Sequence, residues 1–308
     1  MYPIRQIDRL QAEDIEYLGT KRKFWFTLDG VRYLFKAEER GTGEDWAEKI
    51  VCELARELGL PHVEYDLAHE NEGHTPIQPG VICPRFVTRP QSFEMGNQLL
   101  VQRDPAYPSD ERAKYGIREY TVEAVAPVIA ELDLPDPEWV RHAPAGIGTA
   151  PDVFAGYLLL DALVANQDRH HQNWGAIRDG DLLRLGPTYD HGASLARNLT
   201  DEERKDRLKT KDKNRTVAFF AARAASAFYG DAADKKTLSA LEVFRRFAQY
   251  VPVGANLWLE RLRTVTPETV NALLNEVPPQ RMSPITREFT FELLMINQER
   301  LLEPTTNA

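Results

Sequence analysis

The stretch from Asp161 to Ser194, DALVANQDRHHQNWGAIRDGDLLRLGPTYDHGAS, constrains the fold more than any other part of the chain. An apolar run, Tyr157-Leu158-Leu159-Leu160 with Ala162-Leu163-Val164, leads into a polar knot from Asn166 to Asn173. Trp174 to Ile177 and Leu182 to Leu185 then flank a turn at Asp179-Gly180-Asp181, which is the pattern of a short hairpin. A second polar knot, Thr188 to Gly192, closes the stretch. A hairpin brings its ends together, so Asp168, Asn173 and Asp190 are expected to converge in space.

Two carboxylates and a carboxamide gathered in this way suit a metal–phosphate site. Asp168 and Asn173 have the separation of the Asp and Asn in protein-kinase catalytic loops. Asp190-His191-Gly192 stands, after a hairpin, where kinases carry Asp-Phe-Gly. A substrate hydroxyl needs a carboxylate to take its proton, which fits Asp168. Magnesium needs hard oxygen ligands, which Asn173 and Asp190 supply. Gly192 is expected to turn the chain sharply behind the metal ligand. Two other readings compete. An Asp in a polar loop is most often a turn or cap residue. His170, His171 and His191 beside Asp168 and Asp190 would also suit a transition-metal hydrolase.

The upstream sequence supplies parts that such a site needs. Phe24 to Leu28 and Val31 to Lys36 read as strands joined by an Asp29-Gly30 turn. The basic turn before them, Gly19 to Lys23, is where a phosphate-covering loop would fall, although a basic surface turn looks the same. Lys36 emerges from the apolar strand Tyr33-Leu34-Phe35. It is either a solvated edge residue or the lysine that holds nucleotide phosphates and pairs with a helix glutamate. A helix follows: Thr42-Gly43-Glu44-Asp45 reads as a capping box, Trp46, Ile50, Leu54 and Leu58 recur every four residues, and Gly59 and Pro61 stop it. Glu48 and Glu53 flank that stripe on opposite sides, so periodicity does not choose between them.

His62 to Leu67 and Gly80 to Val87 read as further strands, with a turn at Asn71 to His74. Pro84 cannot donate to a ladder, which suits an edge or hinge. A lobe boundary is therefore expected near Thr88-Arg89-Pro90, with 1–88 as a sheet-rich lobe and 89–308 as a helical one. Residues 101–118 read as a charged surface excursion. Val122 to Leu132, with Pro127 inside, reads as a helix, Pro135 to Gly148 as loop, and Pro151-Asp152 as the start of the helix that delivers the first knot. Asp201 to Arg215 is heavily charged and reads as a mobile segment. Val217 to Tyr229, Ala240 to Tyr250, Leu257 to Arg263, Glu268 to Leu274 and Thr286 to Leu302 read as helices. Sheet first and helices after is an α+β order.

Composition narrows the classes. At 308 residues the chain has room for one large domain or two lobes. A net charge of −9 argues against direct nucleic-acid binding. No apolar run is long enough to span a bilayer, so no membrane is expected. Cys52 and Cys83 fall in helix and strand patterns, without CxxC or Cys/His zinc spacing, and read as small core residues in a reducing cytoplasm.

Asn166-x-Asp168-Arg169-His170-x-x-Asn173-x-Gly175, followed by Tyr189-Asp190-x-x-x-Ser194-Leu195, resembles the C-terminal kinase domain of the HipA-like family. The similarity runs from about Gly19 to Leu302 and is sharp at 157–195. It implies a divergent, bilobal protein-kinase-like fold and a serine/threonine kinase that uses ATP and Mg²⁺. By the resemblance Asp168 is the base, Asn173 and Asp190 hold magnesium, and Lys36 holds phosphate. It favours Glu48 over Glu53 as the partner of Lys36. It also places Gly19, Thr20, Lys21, Arg85, Phe86 and His170 around the nucleotide. Family members often carry an extra N-terminal module and work beside a DNA-binding antitoxin. The short stretch before Gly19 leaves little room for that module, so an antitoxin-like partner and a toxin role rest on the family alone. The acceptor is expected to be a protein. A small-molecule or lipid kinase on the same fold, or a non-catalytic nucleotide-binding interaction protein, stays open.

Overall fold

Alternation of apolar and polar residues builds one sheet from the first part of the chain. The computed structural model describes residues 1–15, 22–38, 41–108, 110 and 113–303. In order come β1 (Ile4–Asp8), β2 (Asp14–Ile15), β3 (Lys23–Leu28), β4 (Val31–Ala37), α1 (Glu44–Leu58), β5 (Asp66–Glu72) and β6 (Thr75–Pro84). The strands form a six-stranded sheet in the order β1-β5-β6-β4-β3-β2. β1 runs parallel to β5, and the other neighbours are antiparallel. Asp29 and Gly30, with φ of 50° and 78°, form the β3–β4 turn, as their residue types demand. Phe24, Phe26, Phe35 and Ile82 pack on one face of the sheet. Leu34, Leu67, Val81 and Cys83 pack on the other, with Cys52 of α1. Lys36 lies two residues beyond Leu34 and therefore points to the face that carries α1.

The next elements are β7 (Ser92–Met95), α2 (Gly96–Arg103), α3 (Val122–Ala130), the short α4 (Pro137–Val140), α5 (Ala150–Leu163), β8 (Gly175–Asp179) and β9 (Leu182–Leu185). β7, β8 and β9 form a three-stranded antiparallel sheet. Then come α6 (Asp201–Lys209), α7 (Val217–Ala222), β10 (Ala225–Tyr229), β11 (Thr237–Ser239), α8 (Ala240–Ala248), α9 (Pro252–Arg263), α10 (Pro267–Asn275) and α11 (Pro284–Leu302). A cluster containing Phe154, Leu158, Phe244, Phe247 and Trp258 centres the helical part. Ile50, Leu54 and Leu58 of α1 belong to the same cluster, so α1 is packed on both sides.

Several local expectations need correction. α1 has no capping box: its N-cap is Gly43, in the left-handed region at φ 85°. The Glu38 carboxylate, at the end of β4, instead accepts from the Thr42 and Glu44 backbone N–H groups. The strand expected from His62 begins only at Asp66, because His62 is spent on a bridge to Thr188. The expected turn at Asn71 to His74 tightens to Gly73-His74 between β5 and β6. Pro135 to Gly148 contains α4. Asp201 to Lys209 is a helix closed by a Thr200–Glu203 capping box, and its buried Arg204 bonds Thr286 at 2.9 Å. Charge there reflects a solvated face rather than a loose segment. Val217 to Tyr229 is split, since Ala225–Tyr229 pairs with β11. Its β-branched and aromatic content was too low to show that from sequence. The expected phosphate-covering residues Gly19, Thr20 and Lys21 lie outside the described residues.

Candidate active site

Helix α5 delivers the first polar knot. Thr149 and Asp152 form its capping box, and its side chains from Val153 to Leu163 are buried, which fixes where the chain emerges. Asn166 then works in two directions: Nδ2 donates to Asp161 at 2.7 Å, and Oδ1 accepts from the Asp168 backbone N–H at 3.1 Å. The Asn173 amide Nδ2 donates to the Asp168 carbonyl at 2.6 Å. These bonds hold Asp168 at the mouth of the knot.

Arg169 ties the two knots together. It is 2% exposed, and its guanidinium donates to both Asp161 oxygens at 2.7 and 2.9 Å. It also reaches the Asn173 carbonyl at 2.6 Å and Thr188 Oγ1 at 2.8 Å, and lies 3.0 Å from His191 Nε2. One planar fork thus spans the catalytic-loop candidate and the segment that carries Asp190.

Asp190 is the residue in a left-handed conformation, at φ 60°. The turn expected at Gly192 does form behind Asp190, closed by the Ser194 N–H on the His191 carbonyl at 3.1 Å, but Gly192 needs no left-handed φ to make it. Gly192 matters for space: a Cβ there would stand 3.1 Å from Glu48 Oε2. Asp190 Oδ1 receives Lys36 Nζ at 2.5 Å, and Glu48 Oε1 lies 3.6 Å from the same ammonium. Glu53 is engaged elsewhere, with Lys49 at 2.7 Å and with Arg56. Geometry thus chooses the glutamate that periodicity left open.

One ammonium faces two carboxylates here, and the charges sort accordingly. Burial pulls the Lys36 ammonium down, but Asp190 and then Glu48 outweigh it and hold it above its usual range. Burial pushes Asp190 up, yet Lys36 prevails and keeps it ionised. Glu48 is left with the weaker share, so burial raises it despite Lys36. Its Oε1 is buried without a hydrogen-bond partner. The side chains of Lys36 and Glu48 are 14% and 2% exposed against 37% for Asp190, so Asp190 is the member open to an incoming group.

A cleft of about 590 Å³ joins these residues, with Lys36, Glu48, Asp190, Asp168 and His170 in its walls. Asn173 is buried behind Asp168 rather than in the cleft wall. Arg85 and Phe86 stand beyond the cleft, just past β6, where Phe86 packs against Phe93 and Tyr189 at 5.5 and 5.9 Å between centroids. Two cleft residues come from the excursion that sequence reading left on the surface. Lys114 lines the cleft, and the Tyr115 hydroxyl donates to Asp168 Oδ1. No periodicity marks them, because an irregular segment carries none. Arg197 was also missed; it pairs with Glu44 at 2.6 Å and bonds Thr42 at 2.7 Å, bracing the start of α1.

The histidines do not assemble a metal centre with the aspartates. Both nitrogens of His171 are engaged, with the Tyr107 hydroxyl and the Ala113 carbonyl, each at 2.9 Å. His191 is buried against Arg169 and Thr188. Among the described residues these side chains form no group of three ligand atoms close enough for one ion.

His170 accepts the Gln172 N–H at Nδ1, so its Nε2–H faces Asp168 Oδ1 at 3.5 Å. Burial and then Lys114 push its pKa down to about 3. An unfolded chain binds this proton below about 6.5 and the folded one does not, so stability falls as pH drops from about 6.5 toward 3. His170→Gln is expected to remove up to about 1.4 kcal/mol per pH unit of that slope in urea melts at pH 7 and pH 5. Asp45, raised to about 6 by burial, works in the opposite sense and is common to both proteins, so the comparison cancels it. Equal slopes would refute the assignment.

Comparison with known proteins gives the family and the fold. The family described as HipA-like C-terminal domain matches residues 17–253. The chain belongs to that family. Among solved structures it is similar to the Helicobacter pylori proinflammatory kinase CtkA, at 17% identity and a TM-score of 0.67, covering 97% of this chain and 98% of that one. It is also similar to Shewanella oneidensis HipA, solved with HipB and operator DNA, at 13% identity and a TM-score of 0.56. That match covers 94% of this chain and 64% of the HipA chain. The α+β fold of this HipA-like chain is therefore protein-kinase-like. No curated protein sequence matches it.

Proposed function

We propose that this HipA-like domain is an ATP- and Mg²⁺-dependent kinase that phosphorylates a serine or threonine hydroxyl of a protein. The observation that carries the reading is the Lys36–Asp190–Glu48 group, at 2.5 and 3.6 Å, in one cleft with Asp168. Asp168 accepts the proton of the acceptor hydroxyl as its oxygen bonds to the γ-phosphorus and the bond to the leaving ADP oxygen breaks. The Tyr115 hydroxyl already sits on Asp168, which supports a hydroxyl acceptor at that oxygen. Neutral His170 keeps its N–H toward the same carboxylate and does not compete as base.

The donor set suits magnesium. Asp190 is an ionised, accessible carboxylate, and Asn173, whose amide nitrogen is taken by Asp168, has its oxygen end for a hard cation. Magnesium bound there would neutralise phosphate charge. Lys36, relieved of Asp190, would turn to phosphate and to Glu48, whose Oε1 has no hydrogen-bond partner. Lys36→Met is then expected to lower transfer at least tenfold per folded molecule, and also to lower the melting temperature, because buried Glu48 loses its charge partner. A variant that melts early but keeps its activity per folded molecule would make Lys36 structural.

The binding half of the proposal is tested by thermal melting. ATP with magnesium is expected to stabilise the protein, by about 2.7 kcal/mol at a hundredfold excess over Kd, whereas magnesium alone does little. Asp190→Asn is expected to erase most of the magnesium-dependent part. An equal shift in that variant would remove Asp190 as the ligand.

A further inference from the structure

One turn further along the face of α1 that carries Glu48, the side chains of Cys52, His62 and Glu64 converge. Cys52 Sγ lies 3.6 Å from Glu64 Oε2, and His62 Nε2 lies 3.3 Å from Glu64 Oε1. The ligand atoms of Cys52, His62 and Glu64 all fall within 4.8 Å of one another. The tautomer of His62 follows from its surroundings. Its Nδ1 is 2.6 Å from the Leu60 carbonyl, which can only accept, so Nδ1 carries a hydrogen and Nε2 is the nitrogen left for a metal. Nε2 is buried and has no hydrogen-bond partner, although a carboxylate oxygen stands next to it. A carbonyl-anchored imidazole with its other nitrogen aimed at a thiol and a carboxylate is the usual setting of a metal-bound histidine.

We propose that Cys52, His62 and Glu64 form a binding site for a borderline transition-metal dication such as Zn²⁺, separate from the magnesium-type site of the cleft. Thiolate and imidazole exclude magnesium and calcium, which take oxygen ligands, and favour zinc. Cys52 is 2% exposed, and burial and then Glu64 push its thiol up to about 12, so the metal itself has to displace the proton, helped by the Tyr65 backbone N–H at 3.4 Å. Metal binding replaces the thiol proton, which leaves to solvent; the thiolate and carboxylate then balance the dication. The Glu64 side chain is 49% exposed, so water has access to the fourth position. Arg56 holds Glu64 Oε2 from its own side and leaves Oε1 toward His62.

The location gives the site a consequence. Cys52 is one turn along α1 from Glu48. The segment holding His62 is bonded to Thr188, through Val63 N–H to the Thr188 carbonyl and Thr188 N–H to the Pro61 carbonyl, both at 3.0 Å. Thr188 lies two residues before Asp190. An ion at Cys52, His62 and Glu64 would clamp the helix that carries Glu48 to the segment that leads to Asp190.

Cobalt(II) titration of the purified, metal-stripped chain tests this without any reference to phosphate transfer. The expected result is a thiolate-to-cobalt charge-transfer band with tetrahedral d–d absorption, saturating at one equivalent and displaced by zinc. Cys52→Ala should abolish the band, while Cys83→Ala, at the other of the two cysteines, should keep it. Glu64→Gln, at a partly exposed position where folding is not at issue, should weaken binding by about 10–100-fold. Absence of the band at one equivalent, or a band that survives Cys52→Ala, would overturn the proposal.

Discussion

Asp168→Ala is expected to cut phosphate transfer by about 10²–10⁴ while nucleotide binding survives. The separation of effects follows from the geometry. Asp168 takes part in none of the contacts that hold Lys36, Asp190 and Glu48 together. Its own backbone is held by Asn166 and Asn173, and those bonds do not need its side chain. The substitution should therefore leave the magnesium-ATP melting shift close to that of the unaltered protein. Single-turnover transfer and the melting shift measured on one preparation separate the two. Near-normal transfer would remove Asp168 from the mechanism; loss of both would make it part of the binding framework instead.

The largest expected effect on stability lies at Arg169. Arg169→Leu keeps an apolar side chain in place but deletes the guanidinium that reaches Asp161, Asn173, Thr188 and His191. Asp161 is 3% exposed and would keep only the Asn166 amide, at 2.7 Å. Stranding a buried carboxylate costs about 3–5 kcal/mol, far more than the pair contributes over an apolar substitute. The double variant Arg169→Leu with Asp161→Leu should recover much of the loss, because no charge is then buried alone. Urea melts read both. A single-variant loss below about 1 kcal/mol would mean that the two knots are joined by other contacts.

The central site was readable in the sequence because its chemistry is local. Asp168, Asn173 and Asp190 flank one hairpin, and β8 and β9 form where the Asp179–Asp181 turn put them. Strand alternation showed Lys36 leaving an apolar strand but left a solvated edge residue open, and only its contact with Asp190 at 2.5 Å places it in the cleft. What stayed hidden depended on contacts distant in sequence. Glu48 and Glu53 were equivalent by periodicity, and only the position of β4 against α1 distinguishes them. Glu38 caps α1 from outside the helix, so the Thr42 to Asp45 pattern misled. Tyr115 reaches Asp168 from an irregular segment, for which no spacing rule exists. The charged stretch at Asp201 looked loose because its docking rests on Arg204, a charged residue that is buried here.

The central claim is transfer of a terminal phosphate from ATP to a protein hydroxyl. Its most direct measurement is incubation of the purified chain with γ-labelled ATP and magnesium, alone and with a cell lysate, followed by separation of proteins from small molecules and acid hydrolysis of the labelled protein. Label is expected on phosphoserine or phosphothreonine, dependent on magnesium and absent with Asp168→Ala. Label confined to small metabolites, or no transfer by a chain that binds magnesium-ATP, would contradict it.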